Sequence, residues 1–365
     1  MNISTINFDP FQKLKDEDCQ ERIIEAKKTL GKDLLILGHH YQNEAVYRHA
    51  DFAGDSLKLA QHVQKVEAKY IVFLGVHFMA EVSDILSRDN QITILPDLSA
   101  GCSMADMANL AKVERTYREI SKVLDFDEKI TPVTYINSAA DLKAFCGEHQ
   151  GIVCTSTNAP KILNWAFKQK EKALFFPDQN LGRWTGYKMG IPLDKMPVWD
   201  PDLPLGGLTE KQIIESKILL WKGHCAVHQM FRVESIQDFK KNYPNGNVIS
   251  HPEAPFEVCK NSDLVGSTEF ILRTIEKAHS GTEWLVGTEL NLVNRLAKEM
   301  KTEGKLVKFM SHVICECSTM ARIDPQHLAW SLESLIEDKP VNIIKVPQKE
   351  AELARLTLDK MLEVS

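Results

Sequence analysis

The feature that most constrains this chain is a rhythm of short strands and helices that comes round three times. An apolar run ending in polar residues stands at Leu34–Gln42 (LLILGHHYQ), at Pro132–Ser138 (PVTYINS) and at Asn247–Glu253 (NVISHPE). Behind each, across a helix-length segment, lies a second run: Tyr70–Val76, Gly151–Ser156 and Asp263–Thr268. A third follows at Ile92–Pro96, Ala173–Pro177 and Glu283–Thr288. Apolar, β-branched runs spaced by helical segments are the mark of parallel βαβ units. Their threefold recurrence predicts three similar α/β domains over residues 31–125, 126–230 and 231–365, and 365 residues suit two or three domains. An amphipathic helix over residues 8–30, stopped by Gly31, precedes them as an N-terminal segment, 1–30. The last domain carries a helix near Pro325–Glu337, a strand at Val341–Val346 and a charged helix from about Gln348.

Charge narrows the partners. Lys and Arg number 44 against 50 Asp and Glu, a formal charge of −6, which argues against a nucleic-acid backbone as the main ligand. Small anions remain open, since they need only a few local donors. No apolar run approaches the ~18–20 residues of a membrane span. The amino end shows neither the basic region nor the apolar core of a secretory signal, so a cytoplasmic location is expected. Eight cysteines in this length are too few for a disulfide scaffold and are expected to be thiols.

The polar residues fall where parallel sheets hold ligands, beyond the carboxyl ends of the strands. His39, Tyr41, Tyr135, Asn137, Ser156, His251, Glu253 and Thr268 all follow strands directly. Two of these turns, Ser156-Thr157-Asn158-Ala159-Pro160 and Gly266-Ser267-Thr268-Glu269, also open helices, and a capped helix N-terminus seats carboxylate or phosphate. Each alone reads equally well as an ordinary cap; their repetition points to a convergent anion site. His251-Pro252-Glu253 sets an imidazole and a carboxylate two residues apart, suited to proton transfer. His39-His40-Tyr41-Gln42 reads as metal ligands, as an acid–base pair or as polar packing.

Among the thiols, Cys19, Cys146 and Cys154 look incidental. Cys102 (AGCSMAD) lies in a turn between strand and helix, Cys225 in WKGHCAVH, and Cys315 and Cys317 in Cys-Glu-Cys after a strand-like run. A turn at a helix N-terminus favours the thiolate that binds metal. Separations of 123 residues (102 to 225) and 92 (225 to 317) make no compact motif. One thiol per repeat nevertheless suits three domains serving one centre, with a fourth ligand position open, as catalytic sites keep it. His224 and His228 have the spacing of zinc ligands on a helix, but no nearby carboxylate base follows them.

These fragments together resemble the quinolinate synthase A family. The resemblance rests on GHHYQ, ADFAGDSL, AGCSMAD, TYINS, CTSTNA, FPDQNLG, WKGHCAVH, HPE, GSTE and CSTM, ten pieces in order from about residue 34 to 345. It implies three α/β domains in pseudo-threefold arrangement around a central site. A [4Fe–4S] cluster held by Cys102, Cys225 and Cys317 would lie there, its open iron a Lewis acid. The implied reaction condenses iminoaspartate with dihydroxyacetone phosphate to quinolinate, phosphate and water in NAD biosynthesis. An L-aspartate oxidase or dehydrogenase would supply the imine. Substrate positions carry over to His39, Ser56, Tyr135, Asn137, Ser156, His251, Glu253 and Thr268. On the chemistry of the residues themselves, proton transfer is expected of Glu253, positioned by His251, with Tyr41 and Tyr135 able to donate or accept a proton. Cys315 stays a spare thiol and Cys259 unassigned. Rival readings are a zinc-dependent aldolase or hydrolase and a non-catalytic iron–sulfur sensor. Asn180–Lys188, with Gly182 and Gly186, is expected as a lid.

Overall fold

The computed structural model describes residues 6–313 and 316–365. Cys315 therefore lies outside the described residues. The chain divides into two compact units, 1–102 with 316–347 and 103–315 with 348–365.

The first unit is built on four parallel strands, β1 (Leu34–His39), β2 (Phe52–Gly54), β3 (Tyr70–Leu74) and β4 (Ile92–Ile94), in the order 4-3-1-2. β3 is buried at every residue, as a strand covered on both faces must be. A fifth strand, Ile343–Ile344, pairs antiparallel with β4, and Val346 N–H donates to Asp84 Oδ2 at 2.8 Å. The expected 8–30 helix is broken into Asp9–Gln12 and Asp16–Leu30, because Asp16, Glu17 and Asp18 favour a new helix start there. Gly31, at φ +50°, ends the second piece. This helix buries Cys19, Ile23 and Ala26 and packs on the helix Pro325–Ile336, to which Arg22 is clamped through both carboxylate oxygens of Glu333.

The second unit holds two parallel sheets. One contains β5 (Ile130–Tyr135), β6 (Ile152–Cys154), β7 (Lys172–Phe176), β8 (Val198–Trp199) and β9 (Ile218–Trp221), ordered 6-5-7-9-8. The other contains β10 (Asn247–Ser250), β11 (Leu264–Val265), β12 (Glu283–Gly287) and β13 (Leu306–Phe309), ordered 11-10-12-13. Its strands feed two cores. Val248 and Leu285 face Phe231, Phe239 and Met310, while Ile249, Trp284 and Val286 face helix residues Ile271, Ile275, Val293 and Leu296.

All three sheets share one plan: a first strand with the second on one side and the third and fourth on the other. The expected α/β class with three parallel sheets is what the chain forms. The repeats align differently from the sequence expectation, however. The short β2, three residues of modest apolarity, is the counterpart of β6 and β11, so β3 matches β7 and β12. Residues 103–125 do not stay with the first domain: Val113 and Ile120 of the helix Leu110–Ile120 join the core of Phe126, Phe145, Trp199 and Trp221. Nor does 231–365 stay whole. The strand Ile343–Ile344 covers the β4 edge, and the helix Gln348–Val364 packs on the helix Ala140–Glu148.

Candidate functional site

In the second unit, a chain of hydrogen bonds links the ends of β5, β9, β10 and β12. Tyr135, the last residue of β5, donates its phenol to Glu253 Oε1 at 2.6 Å. His228 Nδ1 lies 3.0 Å from Glu253 Oε2 and 3.1 Å from Cys225 Sγ. His228 Nε2 lies 3.3 Å from Thr288 Oγ1, just past β12. All but Cys225, which is half-buried, are inside the protein. The imidazole expected to position Glu253 was that of His251, yet its Nδ1 is 4.0 Å from the carboxylate and accepts the Glu253 N–H at 3.4 Å. The direct partner is His228. His251 instead lies against the His228 ring, 4.8 Å between centroids. His228 was visible three residues after Cys225; what no spacing showed was that Glu253 reaches it.

The turn bearing Cys225 is tightly held. A Cβ on Gly223 would run into the Pro177 carbonyl, and Gln179 N–H donates to the Gly223 carbonyl at 3.0 Å. The helix Gln179–Lys188, capped by Asp178, carries Asn180, whose amide donates to the Glu253 carbonyl and to Gln229 Oε1, each at 3.2 Å. Gly182 and Gly186 face Leu220 with Phe175, and Met196, at distances that admit no side chain. The segment expected as a lid is thus a packed helix that braces the site.

Burial opposes ionisation of Glu253, but facing His251 and His228, with hydrogen bonds from His228 and Tyr135, its carboxyl drops below the ordinary range. Burial drives the His251 imidazolium down to about 3, against the pull of Glu253, so this ring is neutral near pH 7. Asp178 goes the opposite way: burial, then the Glu253 charge, push its carboxyl well up, although the amides of Leu181, Asn180 and Cys225 oppose the shift. A charged carboxylate beside a neutral acid is the pairing used for proton transfer.

The first unit places His39 at the end of β1, buried, with Nδ1 accepting the Tyr41 N–H at 3.1 Å and the two rings edge-on at 4.6 Å. Ser56 is the first residue of the helix Ser56–Val63, and Thr268 in the second unit opens the helix Thr268–Glu276. The caps of these helices are Asp55 and Ser267, which accept from Lys58 N and Phe270 N. Ser156 follows β6 ahead of a helix, Ala159–Gln169, whose start has no side-chain cap. Ser56, Ser156 and Thr268 therefore follow equivalent strands, β2, β6 and β11. Asn137 is half-buried, and its Oδ1 is enclosed without a hydrogen-bond partner.

Among the described residues the thiols fall into two groups. Cys102, Cys225 and Cys317 are half-exposed in turns, and each follows the strand paired beyond the third of a sheet: β4, β9 and β13. Cys19, Cys146, Cys154 and Cys259 are buried, and burial raises all four thiols, Cys19 to about 11 and Cys259 to about 12. Only the first group presents sulfur at the surface, while burial disfavours the thiolate in the second. Within the first unit, the Cys102 and Cys317 turns are tied together. Arg322 Nη1 donates to Ser99 Oγ at 3.0 Å, and Ser99 in turn donates to Asp97 Oδ1.

The family described as quinolinate synthetase A protein matches residues 21–363. The quinolinate synthase of Herpetosiphon aurantiacus is 50% identical over 354 residues, 96% of this chain and 94% of that protein. That of Acidobacterium capsulatum is 49% identical over 358 residues, 98% and 96% respectively. A quinolinate synthase of Bacillus cereus is 47% identical over 365 residues, 99% and 97%.

Proposed function

The chain belongs to the quinolinate synthetase A family, and on that premise we propose that it condenses iminoaspartate with dihydroxyacetone phosphate. Quinolinate, phosphate and water are the products, on the route to NAD. The observation that carries the chemistry is the buried relay Tyr135–Glu253–His228, which ends at the Cys225 thiol. Cys102, Cys225 and Cys317, the half-exposed thiols among the described residues, are the residues that would hold a [4Fe–4S] cluster. When bound, that group supplies Lewis-acid polarisation of a substrate oxygen or nitrogen, without net redox change.

The chain's own groups do the rest. Glu253 is ionised at neutral pH and is the base that takes a proton in the imine–enamine and dehydration steps. Tyr135 Oη, already hydrogen-bonded to Oε1, passes that proton on. The neutral His251 ring backs His228, and Thr288 fixes the far nitrogen of His228. Ser56, Ser156 and Thr268 bind carboxylate or phosphate oxygens through hydroxyls, and Asn137 adds an amide. His39 orients a carboxylate, with Tyr41 edge-on beside it. No helix among the described residues is long and apolar enough to cross a membrane. The same reading puts the enzyme in the cytoplasm, with an L-aspartate oxidase or dehydrogenase upstream.

The test is purification without oxygen, followed by iron, sulfide and quinolinate assays. About four irons and four sulfides per chain are expected, with quinolinate formed from the two substrates. Glu253→Gln should keep the iron and lose about 10²–10⁴-fold in turnover. Zinc or no metal, or equal turnover in the variant, defeats the proposal.

A further inference from the structure

Among the described residues, one group of three metal-ligating side chains has its ligand atoms all within 4.8 Å of one another: Cys225, His228 and Glu253. We propose that in the cluster-free chain these three bind a single zinc-class divalent cation, at a site exclusive with the cluster. That exclusivity rests on the reading of Cys225 as a cluster thiol; the three-residue site does not.

The donors suit zinc. A thiolate, an imidazole nitrogen and a carboxylate oxygen are the ligand types it takes, at about 2.0–2.3 Å in tetrahedral geometry. Those bond lengths set ligand atoms roughly 3.2–3.7 Å apart, and the Sγ–Nδ1 and Nδ1–Oε2 separations are 3.1 and 3.0 Å. These two pairs need open by only a few tenths of an ångström, while the Cys225 sulfur and the Glu253 carboxylate, within 4.8 Å, close on the ion. His228 Nδ1 faces both other donors, so a cation there satisfies three atoms where one N–H proton satisfies one at a time. Charge balances too: thiolate and carboxylate neutralise a dication in a buried site. Binding releases the Cys225 thiol proton to solvent. The imidazole proton moves from Nδ1 to Nε2, where Thr288 Oγ1 stands ready at 3.3 Å to accept it. A partner on the far nitrogen is the usual support of a metal-binding histidine. Tyr135 Oη, beside Glu253 Oε1, or a water completes four-coordination.

The carboxylate that the sequence lacks near Cys225-Ala-Val-His228 is supplied by the loop after β10. His224, the other histidine flanking the thiol, has no place in the group.

The experiment titrates the anaerobic, cluster-free full-length chain with Co²⁺, which reports thiolate ligation by its near-ultraviolet charge-transfer band. One equivalent should bind, with the band, and Zn²⁺ should displace it. The double variant Cys102→Ala/Cys317→Ala should bind the same equivalent. His228→Ala and Glu253→Ala should each weaken binding about tenfold or more, and Cys225→Ser should abolish the band. Circular dichroism checks folding, and Glu253→Gln stands in should an alanine variant misfold. Binding that survives loss of His228 and Glu253, or that vanishes in the double variant, overturns the site. Preloading wild type with one Zn²⁺ should block cluster reconstitution; normal reconstitution overturns the exclusivity. If unloaded wild type takes up no iron and sulfide, the synthase reading fails, while the Co²⁺ titration still decides the site.

Discussion

His49 and His251 are both buried imidazoles, and each is held neutral chiefly by desolvation. His49 lies against the helix Asp16–Leu30, its Nε2 donating to Gln20 Oε1 at 2.5 Å. Burial first, then Lys27 and Arg48, push its imidazolium from 6.5 to about 4, against the pull of Asp51. Between those values the unfolded chain takes up a proton that the folded chain refuses. The stabilising effect is therefore complete above pH 6.5 and is lost as the pH falls towards 4. The slope is about 1.4 kcal/mol per pH unit, on the order of 3 kcal/mol over the window. His251 acts in the same sense, so the effect of His49 is isolated by difference. His49→Gln keeps a polar group beside Gln20 without the titration. Denaturant unfolding at about pH 7 and 4.5 should show a loss of stability smaller by about 2–3 kcal/mol in the variant. Equal losses in both proteins would rule out His49 as the cause.

At the scale of elements, apolar runs made the strands legible: the nine strands expected in the repeats exist, as does the one expected at Val341–Val346, each ending short of its expected last residue. β2, with three residues, carried too little pattern, and β9 and β13 went unread beyond the third strands. The last helix illustrates a different limit. Gln348–Val364 shows an apolar stripe of Ala354, Leu358 and Met361, which foretells burial but not the surface it meets. That surface is the helix Ala140–Glu148, where Gly147 lies against the Leu353 carbonyl so closely that a Cβ would collide with backbone. Alanine there gains about 1 kcal/mol of helix propensity. The collision, with atoms that cannot turn aside, should cost more. Gly147→Ala is expected to destabilise the chain by a net 1–3 kcal/mol, roughly, in denaturant titration. A gain in stability would mean that the helix pair yields and that the contact is not tight.

Across the whole chain, the plan repeated in three sheets explains why the candidate residues were readable as classes. Ser56, Ser156 and Thr268 follow second strands, and Cys102, Cys225 and Cys317 follow the strands paired beyond the third (β4, β9 and β13), so position in the repeat and residue type coincide. Partnership was not readable. Tyr135 and Glu253 are 118 residues apart, and only the sheet ends bring phenol to carboxylate. The return of residues 316–347 to the first unit was equally hidden, since two isoleucines pairing with β4 leave no periodic signal. The strand-end rule also yields the last prediction. A cluster with three thiolates has no spare ligand, so Cys102→Ala, Cys225→Ala and Cys317→Ala should each lose most of the iron and sulfide of the anaerobically purified protein. The four buried thiols, raised by desolvation, serve packing. Cys19→Ala, Cys146→Ala, Cys154→Ala and Cys259→Ala should keep about four irons per chain, at a cost in stability alone. Iron and acid-labile sulfide per polypeptide decide it. A Cys317→Ala protein with its full iron would move the third ligand elsewhere, to Cys315 first, two residues away in the sequence.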